Sequence, residues 1–206
     1  MHSSGQPDQP QKTSADQVTQ WASQAIAGDS AAFEKLARHF WQEVFRMLFY
    51  RVSNQADAED LCQEVFERAL RSISSLRSPE NLRAWLYGIA LNRSRDFLRK
   101  RRVLAMFQTT PEGGHPEVED QGPCGASALE LAAKRRFWQK INEFLMGLPR
   151  LQREVFSLRY VDELSIPEIA QALGKSQSAI KTHLYRSLER FKKSHSLVRE
   201  LREEAR

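Results

Sequence analysis

Ser176, Gln177, Ser178, Lys181, Thr182, Tyr185 and Arg186 fall within about three helical turns of SQSAIKTHLYR, near the end of the chain. Ile180, Leu184, Leu188 and Phe191 recur at helical spacing and must form the buried stripe of the same segment, which turns the polar and basic groups outward. Hydroxyl, amide, phenol, ammonium and guanidinium groups so arranged do hydrogen-bonding and electrostatic chemistry, not covalent chemistry. Carried at a helix N-terminus, they fit phosphates or base edges in a DNA major groove. The competing reading is a plain solvated face of a helical hairpin.

Two further clusters carry charge. RSRDFLRKRR, Arg93 to Arg102, crowds cations at the end of a helical period that also holds Trp85 and Tyr87. Basic side chains interleaved with aromatic rings suit a nucleic-acid strand, whose phosphates meet the cations while unstacked bases lie on the rings. A solvated, dipole-complementing helix end is the alternative, and Trp85 taken alone reads as core. The second cluster is acidic: Asp60, Gln63, Glu64 and Glu67 share one face opposite an apolar stripe. Such a face is unsuited to DNA and fits either solvent or a basic partner helix.

The elements that position these clusters read as helices throughout. Asp29 caps a period carrying Phe33, Leu36, Phe40, Val44 and Leu48, and a second helix follows Asn54. Ser78-Pro79 reads as a cap and first-turn proline opening a third helix that runs to about Arg102. Gln108 to Ala128 holds Pro, Gly, Glu and Asp but no Lys or Arg, and reads as an acidic linker. Beyond it, Leu129 to Met146, LPRLQREVFSLRY and the stretch from Ser165 are helical. Ser165-Ile166-Pro167-Glu168 forms a capping box, Gly174 ends that helix, and Ser176 caps the next, which makes a helix-turn-helix.

The expected architecture is all-α: two small helical domains joined by a flexible acidic linker. Its divisions are an N-terminal arm (1–19), a first domain (20–102), the linker (103–128), a second domain (129–194) and a charged tail (195–206). The 206 residues suffice for this, and the formal charge of +5 suits an anionic partner. Cys62 and Cys124 have no metal or disulfide spacing, and five scattered histidines form no catalytic or metal-ligating constellation, so no cofactor or metal is expected. The N-terminal stretch lacks a signal-peptide pattern, and no apolar run approaches the roughly 20 residues a membrane span needs. A soluble, cytoplasmic, non-enzymatic chain is expected, with no membrane insertion.

DAEDLCQEVFERAL, NLRAWLYGIALNRSRDFLRKRR, LPRLQREVFSLRY and LSIPEIAQALGKSQSAIKTHLYRSLERFKK, in that order, resemble the sigma-70 family of transcription initiation factors, specifically its extracytoplasmic-function (ECF) group. The resemblance covers roughly residues 20 to 102 and 129 to 193. It implies core RNA polymerase and promoter DNA as partners, and the family often pairs with an anti-sigma factor. It places Asp57, Asp60, Gln63, Glu64 and Glu67 on the polymerase-docking face. It places Trp85, Tyr87, Asn92, Arg95, Arg99 and Lys100 at the −10 element, and Ser176, Gln177, Ser178, Lys181, Thr182, Tyr185 and Arg186 at the −35 element. Ser72 to Asn81 resembles the loop that captures a flipped base. The chain departs from the family in having Leu91 where Arg often precedes the asparagine.

The linker bears on mechanism. Promoter elements about two helical turns apart lie about 70 Å from one another. A flexible coil of this linker's length spans about 30 Å on average and stretches past about 90 Å. It reaches but cannot fix the spacing, so a rigid third body is implied, and core polymerase is the candidate. A stand-alone helix-turn-helix regulator with a helical sensor or dimerisation domain is the main alternative. A recombinase or nuclease would need a nucleophile, carboxylate or metal cluster that the sequence does not supply.

Overall fold

The computed structural model describes residues 14–107 and 140–194. All regular structure among them is helical. Helix α1 spans Ala15–Ile26, and Ser14 caps it by accepting a hydrogen bond from the Gln17 amide at 3.2 Å. Residues 15–19, expected in a disordered arm, therefore begin the folded part. Asp29 caps α2, Ser30–Val52, by accepting from the amides of Ala31 and Ala32. Asn54 caps α3, Gln55–Ser72, through the Asp57 amide.

The segment after α3 differs from the sequence reading. Ile73–Ser75 and Pro79–Asn81 are short 3₁₀ turns, the Ser78 side chain makes no capping bond, and α4 starts at Leu82. Proline still opens a helical turn, but the first turn is too tight to run straight into the α-helix. Helix α4 continues through Phe107, so residues 103–107 are helix where linker was expected.

The first domain buries Phe40, Val44 and Leu48 of α2 against Leu61, Cys62 and Val65 of α3 and Leu86 and Ala90 of α4. Trp41 stacks on Phe66 with ring centroids 5.6 Å apart. In the second domain residues 140–146 are helical (α5), followed by α6 at Arg150–Tyr160, α7 at Ile166–Leu173 and α8 at Gln177–Lys193. The expected helical stretch upstream of 140 lies outside the described residues, as do most of the linker, the first part of the arm and the tail. Leu158, Leu164, Ile169 and Ile180 are fully buried. Phe144, Phe156 and Phe191 close the other end with centroid separations of 5.2 to 5.8 Å.

The two domains are docked. Helix α7 lies against α4, and a Cβ placed on Gly88 would sit 3.4 Å from the Ala172 carbonyl oxygen. The buried residues of both domains join in one cluster.

Candidate nucleic-acid and protein-docking surfaces

The helix-turn-helix is built from local rules that all hold. The Ser165 hydroxyl accepts from the Glu168 amide at 3.4 Å, and Glu168 accepts from the Ser165 amide at 2.7 Å, which completes the capping box. Gly174 takes φ 61°, ψ 42°, the left-handed conformation that ends α7. Ser176 then caps α8 through the Ala179 amide at 3.2 Å. Ile180 is fully buried, while Ser176, Gln177, Ser178, Lys181, Thr182, Tyr185 and Arg186 are all exposed. Tyr185, 65% exposed, is an apolar body with a polar tip held in solvent. Thr182 donates back to the Ser178 carbonyl, leaving its oxygen able to accept from outside.

The acidic face of α3 also stands outward, but it is not purely acidic. Asp60 and Gln63 are exposed. Glu64 lies 3.6 Å from Arg93, Asp57 3.8 Å from Arg101, and Glu67 3.6 Å from Arg71. Two arginines of the α4 cluster thus turn toward α3.

The remaining residues expected on DNA divide in three. Asn92, Arg99 and Lys100 are exposed, with Arg99 paired to Asp96 at 3.0 Å. Trp85 is half-buried against the core. Tyr87 and Arg95 are engaged elsewhere. Tyr87 is 1% exposed and donates to Glu43 Oε1 at 2.9 Å, with burial pushing its phenol well above the ordinary range. Its ring, expected on the DNA side, is not presented to solvent. Arg95 grips Glu154 of α6 with Nε and Nη2 at 3.0 and 2.6 Å. Leu91, where the family often has arginine, is 1% exposed and offers nothing to a ligand.

A charged network was not expected from the sequence. Arg83 donates to Glu43 at 2.6 and 2.7 Å within the first domain. It also donates to the Asp162 carbonyl at 2.8 Å and to Glu168 at 3.4 Å in the second. Burial opposes its charge, but Glu43, Tyr87 and Glu168 together hold it more firmly protonated than usual. Arg51 reaches the Asp162 carboxylate at 3.4 Å. Among the described residues, no three His, Cys, Asp or Glu side chains gather to hold a metal ion, and no helix is long and apolar enough to cross a membrane.

Comparison with known proteins gives this geometry a family. The Sigma-70 region 2 model matches residues 36–103 and the Sigma-70 region 4 model residues 138–191. RNA polymerase sigma factor SigV of Bacillus subtilis is 32% identical over 71% of this chain and 81% of its own length. The ECF RNA polymerase sigma factor SigX of the same organism is 32% identical over 82% and 86%. Among solved structures, CnrH in complex with the cytosolic domain of CnrY is 25% identical, with a TM-score of 0.61 over 87% of this chain and 96% of that one. The sigma factor RpoE in complex with the anti-sigma factor NepR, from Bartonella quintana, shares the fold at 23% identity and a TM-score of 0.58, over 78% of this chain and 94% of that one. The chain belongs to the sigma-70 family, in its ECF group.

Proposed function

We propose that this chain is an alternative sigma factor that binds core RNA polymerase and directs it to specific promoters. The observation that carries the reading is the presence in one chain of a region 2 module and a region 4 module, the latter presenting an exposed polar face on α8. Helix α8 reads the −35 element, with Lys181, Thr182, Tyr185 and Arg186 nearest the DNA. Helix α4 and the turns before it engage and help melt the −10 element, through Asn92, Arg95, Arg99 and Lys100 with Trp85 beside them. Asp60, Gln63 and Glu64 dock on a basic surface of the polymerase. The protein works in the cytoplasm as an initiation factor without catalytic chemistry of its own. An anti-sigma protein is a fitting regulator, since both structural relatives named above were solved bound to a second protein.

A stand-alone regulator would leave the α3 face without a role. Promoter-selective transcription by purified core polymerase plus this chain tests the proposal. Absence of added specificity, together with tight footprinting by the chain alone, would favour the regulator.

A further inference from the structure

A cleft of about 300 Å³ opens on the first domain between α1 and α2, lined by Trp21, Lys35, Arg38 and His39. None of the four belongs to the surfaces described above. Lys35, Arg38 and His39 stand at i, i+3 and i+4, so α2 presents them on one face, and all three are exposed. Among the described residues Lys35 has no ion pair, and Arg38 holds only Glu34, at 2.6 Å, one turn away in solvent. An exposed pair of that kind is worth little and yields readily to a phosphate.

Trp21 supplies the wall of the cleft. It is half-buried against the core and meets His39 edge to face, with centroids 6.4 Å apart, while His39 meets the buried Phe40 in the same way at 4.8 Å. The indole is thus held in place without being stacked. Trp41, by contrast, lies nearly parallel to Phe66, with 18° between the planes. Among the described residues no ring lies flat on Trp21. A fixed, unstacked ring beside two available cations suits a nucleotide, whose base lies on the ring while its phosphate meets the charges. An acidic peptide would use the cations and leave the indole idle. The cleft is open on one side, which fits a strand passing across it better than a small molecule that must be enclosed.

Helix α1 also packs against both 3₁₀ turns, Ile73–Ser75 and Pro79–Asn81, which the proposed function places at the −10 element. With 12 residues it is about 18 Å long, the span of about five stacked nucleotides. Resting on the sigma-factor reading above, we propose that the α1–α2 cleft is a further subsite for single-stranded DNA, holding one nucleotide within about five positions of the bases at those turns. Trp21 stacks on the base, and Lys35 and Arg38 neutralise the phosphate. Every base has a face to stack and every phosphate is alike, so the cleft adds affinity for the melted strand without adding sequence preference.

A short oligothymidylate carrying one 5-iodouracil, irradiated with the full chain and digested, locates the contact by mass spectrometry. The crosslinked peptides should include the one that contains Trp21; crosslinks confined to α4 and α8 would overturn the subsite. Anisotropy of the same labelled oligomer gives its strength. Lys35→Gln should weaken binding severalfold and lower the salt slope by about 0.7. Lys192→Gln, which removes the same charge from an exposed position of α8, should change binding less. Equal losses in the two would reduce the cleft to ordinary surface charge. Trp21→Leu, which keeps an apolar anchor but no stacking ring, should weaken binding by about fivefold or more; if it melts early, the crosslink and Lys35→Gln still decide. Displacement of the oligomer by ATP at an equal nucleotide concentration would point to a free nucleotide and overturn the strand. Failure of the chain to bind core polymerase would strike the sigma-factor reading alone, because strand binding is measured on the free protein.

Discussion

Arg93 of α4 stands 3.6 Å from Glu64 of α3, so the helix proposed to dock on polymerase carries a carboxylate already partly neutralised from within its own domain. Asp60, one turn earlier, is exposed. The two acids therefore differ in what they can offer a basic partner. Asp60→Lys should weaken binding to core polymerase more than tenfold, and Glu64→Gln by less, with helix content unchanged in both. Titration of labelled core against each variant, with circular dichroism alongside, checks the ranking. Equal affinities for the parent and Asp60→Lys would remove α3 from the docking surface.

Adjacent residues of α8 should separate stability from DNA binding. Ile180 is fully buried and Lys181 exposed. Ile180→Ala should cost about 2–5 kcal/mol of domain stability. Lys181→Ala should leave melting nearly unchanged while costing about 1–3 kcal/mol at one −35 position. Arg186→Ala should instead weaken all promoters alike and reduce the salt slope by about one. Thermal melts and transcription across −35 variants and salt concentrations test both halves.

The capping box makes the second domain acid-sensitive. Burial alone would raise the Glu168 carboxyl, but hydrogen bonds from Ser165 and the nearby Arg83 hold it below the ordinary glutamate value. A depressed value in the folded state means that its contribution is present above the unfolded value and is lost as pH falls through the folded one. Glu168→Gln should therefore lower the melting temperature near neutrality and flatten its fall on acidification. Ser165→Ala should cost about 1 kcal/mol. Melting curves through the carboxylate range decide this. An unchanged acid limb in Glu168→Gln would count against it.

Asp162 and Arg51 should respond oppositely to truncation. Asp162 is buried, and burial pushes its carboxyl above the ordinary aspartate range despite the opposing Arg51 charge. Asp162→Asn removes that burden with little change of shape, so the docked form should persist. Arg51→Met leaves the carboxylate buried without its cation, a loss of about 3–5 kcal/mol where no escape exists. Domain separation offers an escape, so the docked population should collapse in Arg51→Met. Interdomain distances in both variants give the answer.

The helix-turn-helix was legible because its signals are local. Ser165, Glu168, Gly174 and Ser176 act on neighbours within a turn, and each does what its type and spacing predict. Asp29 and Asn54 were readable for the same reason. Ser78 was not, because the same Ser-Pro pair can open a 3₁₀ turn as well as an α-helix. Tyr87 gave a signal that the basic-aromatic pattern overrode. Ala84, Tyr87, Leu91 and Ser94 recur at i, i+3, i+7 and i+10, and each is 1% exposed. Helix α4 has this buried face in addition to the Leu82, Leu86 and Ala90 stripe. The charged network had no local trace: Arg83 meets Asp162 and Glu168 across 79 and 85 residues, and only tertiary packing joins them.

Cys62 lies at the centre of the first domain with no exposure, and burial pushes its thiol up to about 12. At neutral pH almost none of it is thiolate, the form that attacks alkylating reagents. On α3 it faces α2, with its sulfur 3.9 Å from the Trp41 carbonyl oxygen. In a Cys124→Ser background its modification rate is therefore a clock for melting of the first domain alone. A variant that opens while Cys62 stays unmodified has separated its domains as intact bodies, whereas one that opens and reacts has begun to unfold.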